Sequence, residues 1–234
     1  RIAREGMAKC SNGATRKVAL KAARTGDFYV WDRVTGEMVL EPWMFVFYDF
    51  KKQGVNMTTG RPSYDLTKMT FTNVEDRRKY TQEDPFGGAK KPAGYTGTEI
   101  VFCPGTAARN WENDAWSPRT GLLYTATDNT CSTQVAFAGD YKPGANYTLR
   151  VAVAGQTAVM YGMDGKPTKI LAELKANDPI NRKTVWSRPY NDGSRVPVMA
   201  TATDLLFHGN NAEGTLEALN AKTGETVWSF RTGS

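Results

Sequence analysis

Apolar and polar residues trade places along this chain in short runs bounded by turn formers, at the two-residue period of strands, and helical periodicity is weak throughout. Lys17–Ala23 and Phe28–Asp32 read as two strands around Arg24-Thr25-Gly26-Asp27. Asn113–Ser117 and Leu122–Thr127 read as a hairpin around Pro118-Arg119-Thr120-Gly121, and Glu99–Phe102 and Leu205–His208 as further short strands. Near the end, Leu216 and Ala218 alternate with Glu217, and Trp228 and Phe230 share one face beyond the next turn. Between these runs, residues 1–16 read as polar and irregular, 51–98 as a long crossover loop, and 138–165 as turns mixed with an apolar run of no clear period. The pattern predicts an all-β chain.

One phrase occurs twice. ANDPINRKTVW closes on Trp186 and ALNAKTGETVW closes on Trp228, and the spacing of the two tryptophans is that of a propeller blade. Asn220 can hydrogen-bond its own backbone to start a tight turn, and Gly224 can take the positive φ that ends it. Asp32-Arg33-Val34-Thr35-Gly36 is a third, weaker copy, with Leu40 where the tryptophan would stand. Arg182 replaces the turn glycine in the Trp186 copy, which predicts a slightly different hairpin there. A large aromatic at a fixed place on an outer strand can bury its ring against the neighbouring blade.

Composition adds bounds. With 234 residues, 40% hydrophobic and 11% aromatic, the chain is globular in character and long enough for one β domain or two smaller ones. Its net charge of +6 is spread among acidic residues, without the concentrated basic stripe of a nucleic-acid binder. No apolar run is long enough for a membrane helix. The chain does not begin with Met and stops just after Phe230, so it reads as a processed or partial chain.

Its lone His208 lies inside a strand, and there is no Cys-x-x-Cys, GxGxxG or P-loop signature, which argues against triad, zinc and nucleotide chemistry. The loop acids Asp114 and Asp128 read as solvated. Cys103 and Cys131 sit at strand ends near turns, and a structural disulfide is favoured over two free thiols. It would contribute roughly 3–4 kcal/mol and would imply an oxidising compartment. Cys10 is left over.

These stretches together resemble the quinoprotein alcohol dehydrogenases, periplasmic enzymes that carry pyrroloquinoline quinone (PQQ) on an eight-bladed propeller. The two phrases look like that family's tryptophan-docking motif. RKVALKAARTGDFYVWDRVTGE, TTGRP, NWENDAWSPRTGLLY and the run from Ala200 to Ser234 match further family stretches. The resemblance implies that residues 1–234 form part of a propeller of four-stranded antiparallel sheets, roughly four blades from its C-terminal half.

By the same resemblance Arg24 reaches the quinone oxygens and polarises the carbonyl that accepts hydride, while Asn110, with Trp111 beside it, also touches the cofactor. The Cys103–Cys131 bridge would hold the loop carrying Asn110. The resemblance further implies a small alcohol substrate, calcium or a lanthanide as the metal, cytochrome c as electron acceptor, and a periplasmic or secreted location. The family's catalytic Asp and metal ligands have no counterpart here, so the remaining N-terminal blades or a partner chain must supply them, and the chain alone is expected to be inactive. Arg195-Val196-Pro197 stands where the family often has Trp-Gly-Gly, which removes one aromatic contact to the cofactor. The alternative is a non-catalytic propeller scaffold built on the same repeat.

Overall fold

A computed structural model describes residues 4–9, 15–47, 52–64, 95–102, 107–130, 132–137, 142–144, 150–152, 160–191 and 196–233. Among these there is no helix, in keeping with the all-β expectation.

The first sheet is a meander in chain order: β1 (Arg4–Lys9), β2 (Thr15–Ala22), β3 (Asp27–Asp32) and β4 (Met38–Met44). A hairpin of β5 (Lys52–Val55) and β6 (Pro62–Tyr64) follows, and then β7 (Tyr95–Phe102). The second four-stranded sheet opens with β8 (Ala115–Ser117) and β9 (Leu122–Asp128). It is interrupted by β10 (Ser132–Phe137), β11 (Arg150–Ala152), β12 (Met160–Tyr161) and β13 (Pro167–Thr168), and resumes with β14 (Ala172–Asp178) and β15 (Lys183–Tyr190). In the interruption β10 pairs with both β7 and β11, and β12 pairs with β13. The third four-stranded sheet is β16 (Val198–Ala200), β17 (Leu205–Asn210), β18 (Thr215–Asn220) and β19 (Thr226–Arg231), again in chain order.

Two stretches depart from the sequence reading. Arg4–Lys9, expected to be irregular, is a strand held in register along β2 by backbone pairing, from Arg4 opposite Leu20 to Lys9 opposite Thr15. Within the expected 51–98 loop, β5 and β6 pair around a Thr-Thr-Gly turn and β7 begins at Tyr95.

The three sheets stack face to face. Val18, Leu20, Phe28, Val30, Phe45 and Leu123 form the core between the first and second. Leu122, Tyr124, Leu174, Val198, Leu206 and Leu219 form the core between the second and third. β8 lies beside β1 on one flank and β16 on the other, so the first strands of the sheets converge. Alternate residues go to opposite faces, so β9, packed on both, is buried along its whole length, and burial of these side chains is the main force holding the stack together.

Five turns share one construction. The side chains of Asp32, Asn56, Asp178 and Asn220 each accept a backbone N–H of a residue that follows, at 2.8–2.9 Å. Ser117 holds the same place in the fifth turn, at 3.5 Å from Thr120 N. The fifth residue of each turn has positive φ: 78° at Gly36, 71° at Gly60, 69° at Gly121, 52° at Arg182 and 76° at Gly224. The hairpin at Arg182 is therefore of the same type as the others, contrary to expectation, and the substitution is absorbed as a left-handed backbone at an arginine.

At Gly224 the glycine has a second purpose. A Cβ there would lie 2.7 Å from Trp186 Cε3. The indole of Trp186 covers the bare α-carbon, and its Nε1 donates to the carbonyl of Ala221 at 3.1 Å. Tyr124 Oη donates to that carbonyl at 3.0 Å. At the other junction Leu40 and Ile180 pack against the shared core, and Arg182 meets Glu41 at 3.3 Å. Trp186 thus docks on the following sheet, as the docking motif implies. Trp228 faces no sheet among the described residues, and remains 48% exposed beside Phe230, which is 58% exposed.

Candidate functional site

Arg24 sits in the turn between β2 and β3, exposed at the end of the first sheet. Asn110 and Trp111 lie in the segment that leads into β8; Asn110 is partly buried and Trp111 is 62% exposed. The two segments touch through the backbone: Ala108 N donates to Arg24 O at 2.8 Å, and Asp128 N donates to Ala108 O at 2.8 Å. Residues 86 positions apart are thereby brought to one end of the first and second sheets.

The 107–114 segment is built around a buried charge. Arg109 is 4% exposed. Its Nη2 donates to Glu112 O and pairs with Asp114 Oδ1 at 3.0 Å, and its Nη1 donates to Ala22 O at 3.5 Å. Glu112 Oε2 accepts Asn110 N at 2.8 Å. The main chain around Asn110 is therefore held from both sides. Asp114 is not a solvated loop acid: its side chain is 11% exposed and partnered by Arg109. Asp128 is likewise buried, with Oδ1 accepting Thr130 N at 2.8 Å. Nothing in local hydrophobic pattern marks these acids, because their partners are set by loop geometry.

Next to this segment is a cavity of about 660 Å³ lined in part by Asn113, Asp114, Trp116, Pro197, Phe207 and Leu216. His208 lies in β17 as expected, 2% exposed, its ring 4.9 Å from that of Tyr190. No three His, Cys, Asp or Glu residues come together as a metal site among the described residues. Cys103 and Cys131 lie outside the described residues, and so does the proposed bridge between them.

A further charged network ties the first two sheets. Lys175, 2% exposed, donates from Nζ to Phe45 O at 2.9 Å and pairs with Glu173 at 3.0 Å; Asn129 Nδ2 donates to Glu173 at 2.9 Å. Burial pushes the Glu173 carboxyl up, but the Lys175 ammonium and the donated hydrogen bonds outweigh it and hold the group below its ordinary value.

No family model matches the chain. It is 29% identical over 231 residues to the quinoprotein ethanol dehydrogenase of Pseudomonas putida, covering 97% of this chain and 32% of that protein. It is 27% identical to the lanthanide-dependent methanol dehydrogenase of Methylorubrum extorquens, covering 95% of this chain and 33% of that protein. The crystal structure of quinohemoprotein alcohol dehydrogenase from Comamonas testosteroni superposes with a TM-score of 0.69 at 26% identity, over 98% of this chain and 30% of that one. The chain spans about a third of the length of these proteins. Along nearly its whole length it is a relative of the quinoprotein alcohol dehydrogenases and shares their β-propeller fold.

Proposed function

We propose that this chain supplies the quinone-facing arginine and asparagine of a PQQ-dependent alcohol dehydrogenase, as part of the C-terminal portion of its propeller. The observation that carries the reading is the 2.8 Å bond from Ala108 N to Arg24 O, which puts the segments of both residues at one end of adjoining sheets. The residues suit the group. A guanidinium complements the anionic oxygens of PQQ, an amide donates and accepts in its plane, and an exposed indole offers a flat apolar neighbour.

When bound, PQQ would supply a two-electron acceptor for the alcohol's hydride, the hydroxyl proton going to a base. Arg24 would hold the quinone oxygens and complement negative charge on them. The base and the ligands for calcium or a lanthanide come from parts of the enzyme other than the described residues, and electrons leave to cytochrome c in an oxidising compartment such as the periplasm. The Pseudomonas putida and Methylorubrum extorquens relatives, an ethanol and a methanol dehydrogenase by name, support a small primary alcohol as substrate.

The test is a PQQ titration of the chain followed by quinone absorbance, with Arg24→Ala and Asn110→Ala alongside. Each substitution is expected to weaken binding about tenfold or more, the scale of a lost hydrogen bond to a charged group. Dye-linked alcohol oxidation is expected only when the rest of the propeller is present. Unchanged affinity in both variants would instead favour the scaffold reading.

A further inference from the structure

We infer that Arg109 is a positioning residue, whose buried guanidinium fastens the segment carrying Asn110 to the end of the strand that leads into Arg24 and so sets the spacing of those two side chains. The inference rests on the proposed quinone site and names the device that keeps it in shape.

Three features carry it. The guanidinium reaches in two directions: one nitrogen meets Glu112 O and Asp114 within its own segment, and the other meets Ala22 O, two residues before Arg24. The two segments also meet where Ala108 N donates to Arg24 O at 2.8 Å, so Arg109 sits directly beside a backbone bond joining them. Finally, the residue is 4% exposed, and a buried cation is kept only where its partners are fixed. Lysine is a single point charge and cannot reproduce a fork that reaches two carbonyls on different segments.

The reasoning also says what Arg109 does not do. Its charge is consumed by Asp114 and by backbone oxygens of protein, so it is a holder of Asn110 rather than a contact to the cofactor. Displacement of a binding group by about 1 Å is enough to lose most of its effect.

Two measurements on the full chain test this, with Arg109→Gln, Arg109→Lys, and the milder Asp114→Asn, which keeps the carbonyl bonds while removing the ion pair. In hydrogen exchange, the Ala108 amide is expected to exchange at least tenfold faster in Arg109→Gln, while amides of β9 and β14 keep their protection. In PQQ titrations, Arg109→Gln and Arg109→Lys are expected to bind about tenfold to a hundredfold more weakly, the usual cost of losing a supporting partner, and Asp114→Asn less so. Combined with Asn110→Ala, Arg109→Gln is expected to add less than twofold, because the group it positions is gone; a general loss of stability would add its full effect. Normal Ala108 protection in Arg109→Gln, or full additivity in the double variant, overturns the role of Arg109. If Arg24→Ala and Asn110→Ala bind PQQ like the parent, the quinone reading is what fails, and Arg109 then has no ligand to position.

Discussion

An alanine at position 224 would need a methyl group where the Trp186 ring already lies, 2.7 Å away, on a backbone with φ of 76°. The expected loss is about 1–3 kcal/mol, the range for overpacking, visible as a lower melting temperature. The corresponding position in the preceding sheet gives the opposite result. Arg182→Gly relieves a left-handed arginine but frees the unfolded chain and gives up an exposed pair with Glu41, so stability should change by no more than about 0.5 kcal/mol. The difference between the two sites is the indole, and a urea melt of each variant measures it. The Asn56 turn was hidden in a stretch read as an irregular loop. The turns at Asp32, Ser117 and Asn220 were readable from a polar residue and a following Thr-Gly, and that at Asp178 from its repeat, because that chemistry is local. Arg109 was not, since a lone arginine before Asn110 says nothing about carbonyls that only folding brings within reach.

Strands carry their own surprises. In β18 a carboxylate is buried alongside Ala218 and Leu219: Glu217 is 3% exposed, accepts from Tyr190 Oη at 3.2 Å and Asn210 Nδ2 at 3.2 Å, and pairs with Arg188 at 3.0 Å. Glu217→Gln is expected to cost about 1–3 kcal/mol, since it weakens a satisfied buried cluster and leaves the Arg188 guanidinium without its counter-charge. Denaturant melts with Arg188→Met as the partner change separate the pair from the rest of the network.

The carboxylates that join elements should also set the acid limit. Asp32 is held low by the N–H groups of Val34 and Thr35, and Asp204 by hydrogen bonds from Arg119 and Lys222; Glu173 is low for the reasons given above. All three sit below ordinary values of 3.8 for Asp and 4.5 for Glu. A depressed folded-state value contributes stability that is complete above those figures and is lost as pH falls through the folded-state values. Melting temperature should therefore be flat in these groups above about pH 5 and drop below it, and Glu173→Gln should shallow the drop. The period of the strands was legible from alternation, but β1 was not: it is held by backbone pairing, which leaves no mark in side-chain pattern.

At the scale of the molecule, the repeat and its tryptophans announced a stack of sheets, and three of them are present among the described residues, each junction closed by an apolar core and a residue of the outer strand. On the last sheet Leu216 stands opposite Phe230 with Trp228 stacked beside it, and all three are exposed. Contiguous apolar surface of this kind favours association. The double change Trp228→Lys and Phe230→Lys should lower self-association in sedimentation at raised concentration, while stability stays within about 0.5 kcal/mol, as for most surface changes.

The seat under Trp186 has one more consequence, for the order in which the chain folds. The Asn220–Gly224 bend closes over five neighbouring residues, whereas the indole that settles on it comes from a different sheet. Short-range closure is the faster event. The hairpin should therefore exist before the tryptophan arrives, and the junction should zip from the C-terminal side. In refolding kinetics, a change that loosens the bend, such as Asn220→Ala, should slow the folding limb, and Trp186→Phe should act mainly on unfolding.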